Sequence, residues 1–426
     1  MRNNRPLTLF VAAFTVVFGF LTTPQLFAAS KEKVLHSFNG NDGANPYAGL
    51  IFDAAGNLYG TSDGGGAFGG GTVFELTPGA GGTWTETVLY NFGAGDGDGG
   101  GPEASLTFDA AGNLYGTTVA GGMYCGPSGC GTVFELTPGE GGTWTEKVLH
   151  NFNVNDGDGA WPVAGVIFDA AGNLYGTTPS GGALGRGTVF ELTPGAGGTW
   201  TETVLFNFGA GNPQGGLIFD TAGNLYGTTD VGGTKACPNC GTVFELTQGT
   251  NGMWTKKLLH NFGSNGKDGR NPVAGLIFDA AGNLYGTTLQ GVGGGGTVFE
   301  LSPTVGGGWK EKILHSFDGN NDGKEPRAGL ILDAAGKLYG TTAMGGAADC
   351  RFSDLPCGTV FRLTPGTNGE WTEKVLRSFN GSDGAGPFAG LIFDAAGNLY
   401  GTTTSGGTGS GCNGGGCGTV FEITPN

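Results

Sequence analysis

Four histidines and eight cysteines recur in fixed surroundings along this 426-residue chain, and chemistry would be sought there first. His36, His150, His260 and His315 each follow a Leu and stand two residues before a Phe. An imidazole beside a carboxylate or hydroxyl can act as a general base or activate a nucleophile. In related segments the same position holds Tyr90, Phe206 and Arg377, and a slot that accepts all four types reads as structural. The carboxylates are as regular. Asp53 and its six equivalents fall in a turn, and Glu75, Glu135, Glu191, Glu245, Glu300 and Glu422 share one strand position with Arg362, which reads as outer surface. No His–carboxylate or Ser–His pair breaks this regularity, so no catalytic residue is expected.

The cysteines fall as Cys125–Cys130, Cys237–Cys240, Cys350–Cys357 and Cys412–Cys417, and the second of each pair directly precedes Gly-Thr-Val-Phe. An even count in an exported chain reads as disulfides. Zinc is the sharper alternative, but the pairs belong to separate units that do not converge. Redox chemistry at Cys237-Pro238-Asn239-Cys240 lacks the helix start that lowers a thiol pKa. Acidic loops carry Asp42, Asp96, Asp98, Asp156, Asp158, Asp268, Asp322 and Asp383. Within them Asp318, Asn320 and Asp322 alternate like the start of a calcium loop, yet Gly329 stands where the twelfth-position Glu belongs. A solvated turn is the preferred reading; calcium is the one cofactor the sequence suggests.

These residues are positioned by a repeat. Leu-Tyr-Gly-Thr begins at Leu58, Leu114, Leu174, Leu225, Leu284, Leu338 and Leu399, and Gly-Thr-Val-Phe at Gly71, Gly131, Gly187, Gly241, Gly296, Gly358 and Gly418, with spacings of 51 to 62 residues. Each unit predicts four strands, as at Gly49 to Asp53, Asn57 to Ser62, Gly71 to Thr77 and Trp84 to Phe92. The strands hold the β-branched and aromatic residues that suit a pleated surface, and the turns hold Asp and Gly. The chain opens with a lone fourth strand, Glu32 to Phe38, and closes with Gly390 to Thr424, which supplies only strands one to three. The pieces complete one another, so the expected fold is an all-β, seven-bladed β-propeller of four-stranded antiparallel blades, closed by the N-terminal strand. A stacked β-helix is the alternative.

The units resemble the GloVer tandem repeat (Gloeobacter/Verrucomicrobia type), a family of exported bacterial repeat proteins. The matching phrases are Gly-Leu-Ile-Phe-Asp-Ala-Ala-Gly-Asn-Leu-Tyr-Gly-Thr from Gly49 and Gly-Thr-Val-Phe-Glu-Leu-Thr-Pro-Gly from Gly71. The hairpin also looks like the propeller repeats of two-component sensors. The resemblance spans residues 32–426 and implies a propeller outside the cytoplasm; it brings no catalytic residue with it. Many members end in a surface anchor, which the closing Ile423-Thr424-Pro425-Asn426 does not resemble.

Composition agrees. Gly is 92 of 426 residues without a collagen period, and 29 Phe, 10 Tyr and 7 Trp argue against disorder. A net charge of −16 argues against nucleic acid as a partner. Arg2 and Arg5 followed by the apolar run Leu7 to Leu21 and the small residues Ala28-Ala29-Ser30 predict a signal peptide over 1–29 and a propeller over 30–426. No membrane span is expected after cleavage, and the place is secreted, periplasmic or cell surface.

The faces of the ring differ. Leu76 to Trp84 spans 8 positions, as do its equivalents, but the loops between strands two and three range from 9 to 17 positions. Loops that vary on a rigid scaffold are where binding sites gather. Each blade enters its innermost strand through a Pro, and the next residue is Tyr47, Glu103, Val163, Gln214, Val273, Arg327 or Phe388. This slot predicts a channel rim where aromatics and charges meet, suited to a sugar or peptide; the bland reading is a permissive rim. The expected function is an exported, monomeric, non-catalytic binding or scaffold module for a carbohydrate or protein. A polysaccharide lyase or hydrolase and a structural matrix protein are the alternatives.

Overall fold

A computed structural model describes residues 30–263, 268–291, 293–347, 350, 357–412 and 414–425. The expected signal segment 1–29 lies outside them. Seven four-stranded antiparallel sheets form the blades of a propeller. In blade 1 the strands are Ile51–Phe52, Leu58–Ser62, Thr72–Pro78 and Trp84–Asn91. The seventh blade is shared by the chain ends: Ile392–Phe393, Leu399–Thr403 and Thr419–Thr424 are completed by Lys31–Ser37, which pairs antiparallel with Thr419–Thr424. No helix among the described residues is long and apolar enough to cross a membrane.

The innermost strand is shorter than expected, two paired residues rather than five. Its upstream carbonyls turn to the preceding blade instead. Thr61 Oγ1 donates to the Ala104 carbonyl at 3.3 Å, Thr117 to Ala164 at 3.1 Å, and so on round the ring. The Thr of Leu-Tyr-Gly-Thr is thus a bond between blades. Its Gly leaves room within the blade: a Cβ on Gly60 would meet Phe74 Cζ at 2.6 Å, and Gly60 is the cross-strand partner of Phe74.

The core lies between blades. Leu58, Phe74 and Leu76 of blade 1 pack with Tyr400 and Val420 of blade 7, with Phe52 and Trp84 half-buried around them. On the face with constant loops, Asp53 Oδ1 accepts the N–H groups of Ala55 and Asn57, while Tyr59 O–H donates to Glu75 at 2.8 Å. Glu75 is therefore half-buried and bonded, not plain outer surface.

The histidines belong to a second inter-blade contact. Each fourth strand carries a bulge, in blade 1 opposite Val73/Phe74. An extra residue flips the face that follows it. Glu86, before the bulge, therefore faces the preceding blade, and Tyr90, after it, faces the next. At six junctions a donor and a loop Asp meet the next blade's Glu: His36/Asp42/Glu86, Tyr90/Asp98/Glu146, His150/Asp158/Glu202, His260/Asp268/Glu311, His315/Asp322/Glu373 and Arg377/Asp383/Glu32. The seventh has Phe206, no loop Asp, and Lys256 in the Glu position, its Nζ 5.5 Å from the Phe206 ring centre. His, Tyr and Arg share hydrogen-bond donation, which goes to the loop Asp, and the next blade's Glu packs against that pair with its Oε1 buried and without a hydrogen-bond partner; the three residues together are called the clasp between blades. Burial pushes the carboxyls of Glu86, Glu146, Glu202, Glu311 and Glu373 up to about 7.

Candidate functional site

The rim is built by three residues that recur at every junction. The residue before each rim Pro has a left-handed backbone: Asn45, Gly101, Trp161, Asn212, Asn271, Glu325 and Gly386 have φ between 55° and 68°. Proline disfavours compact backbone in the residue before it, and positive φ is costly outside Gly and Asn, so Trp161 and Glu325 carry strain that their surroundings must hold. The holding contacts come from the preceding blade. The N–H of Asn45 donates to the Cys417 carbonyl at 2.9 Å, Trp161 to Cys130 at 2.8 Å, Asn271 to Cys240 at 2.8 Å and Gly386 to Cys357 at 2.8 Å. The Gly of Gly-Thr-Val-Phe sits under the Pro ring: a Cβ on Gly418 would meet Pro46 Cδ at 2.6 Å.

The four expected disulfides are present, Cys125–Cys130, Cys237–Cys240, Cys350–Cys357 and Cys412–Cys417, with Cα separations of 5.2 to 5.5 Å. Each fixes a cysteine whose carbonyl supports the next blade's rim. This explains why the second Cys always stands before Gly-Thr-Val-Phe.

All seven rim residues line one axial cavity of about 410 Å³. Tyr47 and Phe388 meet edge to face with ring centres 5.4 Å apart, and the Arg327 guanidinium lies 5.1 Å from the Phe388 centre. Arg327 also pairs with Glu325 at 2.9 Å, while its Nε is buried without a hydrogen-bond partner. Val163 and Val273 complete the apolar part. Gln214 Nε2 donates to Asp230 Oδ2 at 3.2 Å.

Two carboxylates that sequence reasoning passed over reach the rim. Asp63 and Asp230 follow the second-strand Ser62 and Thr229, where other blades have Val119, Pro179, Leu289, Ala343 and Thr404. That variation was the available signal. Burial pushes the Glu103 carboxyl up to about 7, and the nearby Asp63 charge adds to the rise. Burial also raises Asp63. The Tyr47 hydroxyl is raised by burial and by the charges of Asp63 and Glu103, against Arg327. Asp230 is raised by burial, partly offset by Asn271 and Arg327.

The calcium-like residues lie elsewhere, at the junction of blades 5 and 6. Asp322 accepts the Asp318 N–H at 3.2 Å and contacts His315 Nε2 at 3.1 Å, and Asp318 Oδ1 accepts the Asn320 N–H at 2.8 Å. Asp42 makes the same contacts with the Asn39 N–H and His36 in a loop lacking the calcium-like spacing, so the arrangement recurs without that spacing.

Among solved structures, the extracellular domain of a protein named as a one-component system from B. thetaiotaomicron matches at 13% identity and a TM-score of 0.53, over 92% of this chain and 42% of that one. PorZ, a surface component of the type-IX secretion system of Porphyromonas gingivalis, matches at 16% identity and a TM-score of 0.50, over 92% and 48%. This chain thus spans less than half of either. A periplasmic gluconolactonase from Pseudomonas aeruginosa has a TM-score of 0.49 at 16% identity, over 79% and 85%. The first two likenesses agree with the propeller fold. No curated protein matches the sequence. The Gloeobacter/Verrucomicrobia repeat matches over residues 19–237, 123–276 and 238–426, in keeping with the seven copies of its phrases, and the chain belongs to that repeat family.

Proposed function

We propose that this propeller is an extracytoplasmic binding module that holds a carbohydrate or peptide in its axial cavity without transforming it. The carrying observation is the rim. Seven slots held by invariant Pro and Gly contacts open into one cavity of about 410 Å³, yet they carry six residue types. A scaffold this regular has no structural use for such variety; a ligand without seven-fold symmetry does. Four disulfides suit an oxidising compartment, whether secretion, periplasm or cell surface, and every blade is completed by strands of this one chain, in keeping with a monomer. The reading involves neither nucleic acid nor a cofactor. Screening the mature chain against glycan and peptide arrays tests it: bound ligand that is lost on Tyr47→Ala supports it, and a ligand indifferent to every rim substitution contradicts it.

One observation favours a second reading. Glu103, which lines the cavity, and its neighbour Asp63 are half-buried carboxyls with raised proton affinity, which is how acid–base pairs are tuned. A polysaccharide lyase or hydrolase would release product from a degradation panel, and Glu103→Gln would abolish the release.

A further inference from the structure

The largest break in the ring's symmetry is a cluster of positive charge beside the axial cavity. Two residues before each rim Pro stand Ala44, Gly100, Ala160, Gly211, Arg270, Lys324 and Ala385. Only the adjacent blades 5 and 6 put a cation there. Arg270 and Lys324 line a cavity of about 590 Å³ together with Arg327, which also lines the axial cavity. A chain with 20 basic and 36 acidic residues therefore gathers three cations at one opening.

Two acidic residues share this lining, and both are engaged. Asp268 is fully buried against His260 and the Gly263 N–H, and Glu325 pairs with Arg327. Neither Arg270 nor Lys324 pairs with a carboxylate among the described residues, and Arg327 Nε is buried with no partner. Gln290 adds an amide to the wall. The backbone is held where it must be to present these groups: Arg270 and Gln290 exchange backbone hydrogen bonds, and so do Lys324 and Met344.

Arg270 and Lys324 line the cavity without a carboxylate partner among the described residues, and the Arg327 guanidinium beside them is only partly engaged by Glu325, a combination that suits an anion; guanidinium groups bind carboxylate or sulfate through paired N–H donors. The connection through Arg327 puts that receptor beside the Tyr47–Phe388 aromatic sector, where the apolar face of a sugar ring can rest. We propose that the ligand of the axial cavity is an acidic oligosaccharide. Its carboxylate or sulfate group sits among Arg270, Lys324 and Arg327, and a neighbouring sugar ring packs against Tyr47 and Phe388. This rests on the axial reading given above and supplies its ligand class.

The test is calorimetric titration of the mature chain with three probes of similar length: tetragalacturonate, a sulfated chondroitin tetrasaccharide and neutral maltotetraose. One or both acidic probes bind at least about tenfold more tightly than maltotetraose, and the advantage shrinks as salt rises. The double variant Arg270→Gln/Lys324→Gln loses about tenfold for the acidic probe, its melting temperature unchanged. The arm that binds best separates carboxylate from sulfate. Equal affinity for maltotetraose, no binding of either acidic probe, or an acidic ligand indifferent to the double variant overturns the inference. In those cases Tyr47→Ala and Phe388→Ala decide the axial reading separately. If they weaken a neutral sugar or peptide from the arrays, the axial reading stands while the acidic ligand falls.

Discussion

Thr402 of the last blade donates its hydroxyl to the carbonyl of Ala48 in the first, 2.9 Å away and 354 positions apart in sequence. It is the seventh of a ring of equivalent bonds of 2.9 to 3.3 Å, and with the pairing of Lys31–Ser37 to Thr419–Thr424 it turns a row of blades into a closed circle.

Closure predicts the result of removing the N-terminal strand. Deleting residues 30–40 leaves Thr419–Thr424 as an open edge, and such edges recruit other chains. The deletion variant is expected to aggregate on size-exclusion chromatography. A monomer as stable as the parent would argue against the ring. Thr402→Val, a smaller lesion, should cost about 1–3 kcal/mol by orphaning the Ala48 carbonyl, read by denaturant unfolding.

The clasps predict a pH dependence with a definite sign. The carboxyls of Glu86, Glu146, Glu202, Glu311 and Glu373 rise from 4.5 to about 7 on folding, so the native state holds more protons than the unfolded one between those values. Their contribution is complete below 4.5 and is lost as pH climbs through 7. His260 works the other way, because burial lowers its pKa below 6.5. At the acid end, burial works against Asp109, Asp169, Asp220, Asp279 and Asp394, but turn N–H and amide donors hold them below 3.8, and that stability is lost on further acidification. Melting temperature should therefore peak near pH 5 and decline toward pH 8; a rise over that interval would refute the clasp energetics.

The exceptional junction offers a sharper mutation. Lys256→Glu places a carboxylate against Phe206 and Phe208 with no loop Asp or donor beside it, at an expected cost of about 2–4 kcal/mol. Lys256→Met, which keeps the packing, should be close to neutral. Unfolding curves that rank the two in the opposite order would count against the pairing rule.

The disulfides should matter more to the rim than to the fold. Each closes a short loop and contributes about 2 kcal/mol or less by the chain-entropy model. Cys357 and Cys417 support the rim segments that carry Phe388 and Tyr47. Mild reduction is expected to lower the melting point by only a few degrees while weakening ligand binding, and added calcium or chelator should change neither. Peptide mapping that joins cysteines of different blades would overturn this account.

The ring and its blades were legible because the repeated phrases are the contacts themselves. Leu-Tyr-Gly-Thr contains the inter-blade donor and the Gly that fits under Phe, and Gly-Thr-Val-Phe contains the Gly that seats the next Pro. The rim slot was legible too, as variation amid repetition. What sequence alone did not yield depends on which loops converge. Asp63 and Asp230 come from the far end of the second strand, and Arg270 and Lys324 from blade-joining loops with no common motif. The clasp partner of each His was hidden because the bulge turns Glu86 and Tyr90, four residues apart on one strand, toward opposite neighbours.

The most direct test of the central claim compares both sides of the axial cavity. Affinity for the ligand found on the arrays should fall at least about fivefold with Tyr47→Ala and with Phe388→Ala, since a buried aromatic contact is worth about 1 kcal/mol or more. Val163→Ala and Val273→Ala, across the ring, should leave it nearly unchanged, and all four variants should melt like the parent. Four variants that bind as the parent does would contradict the claim and leave the rim a permissive surface.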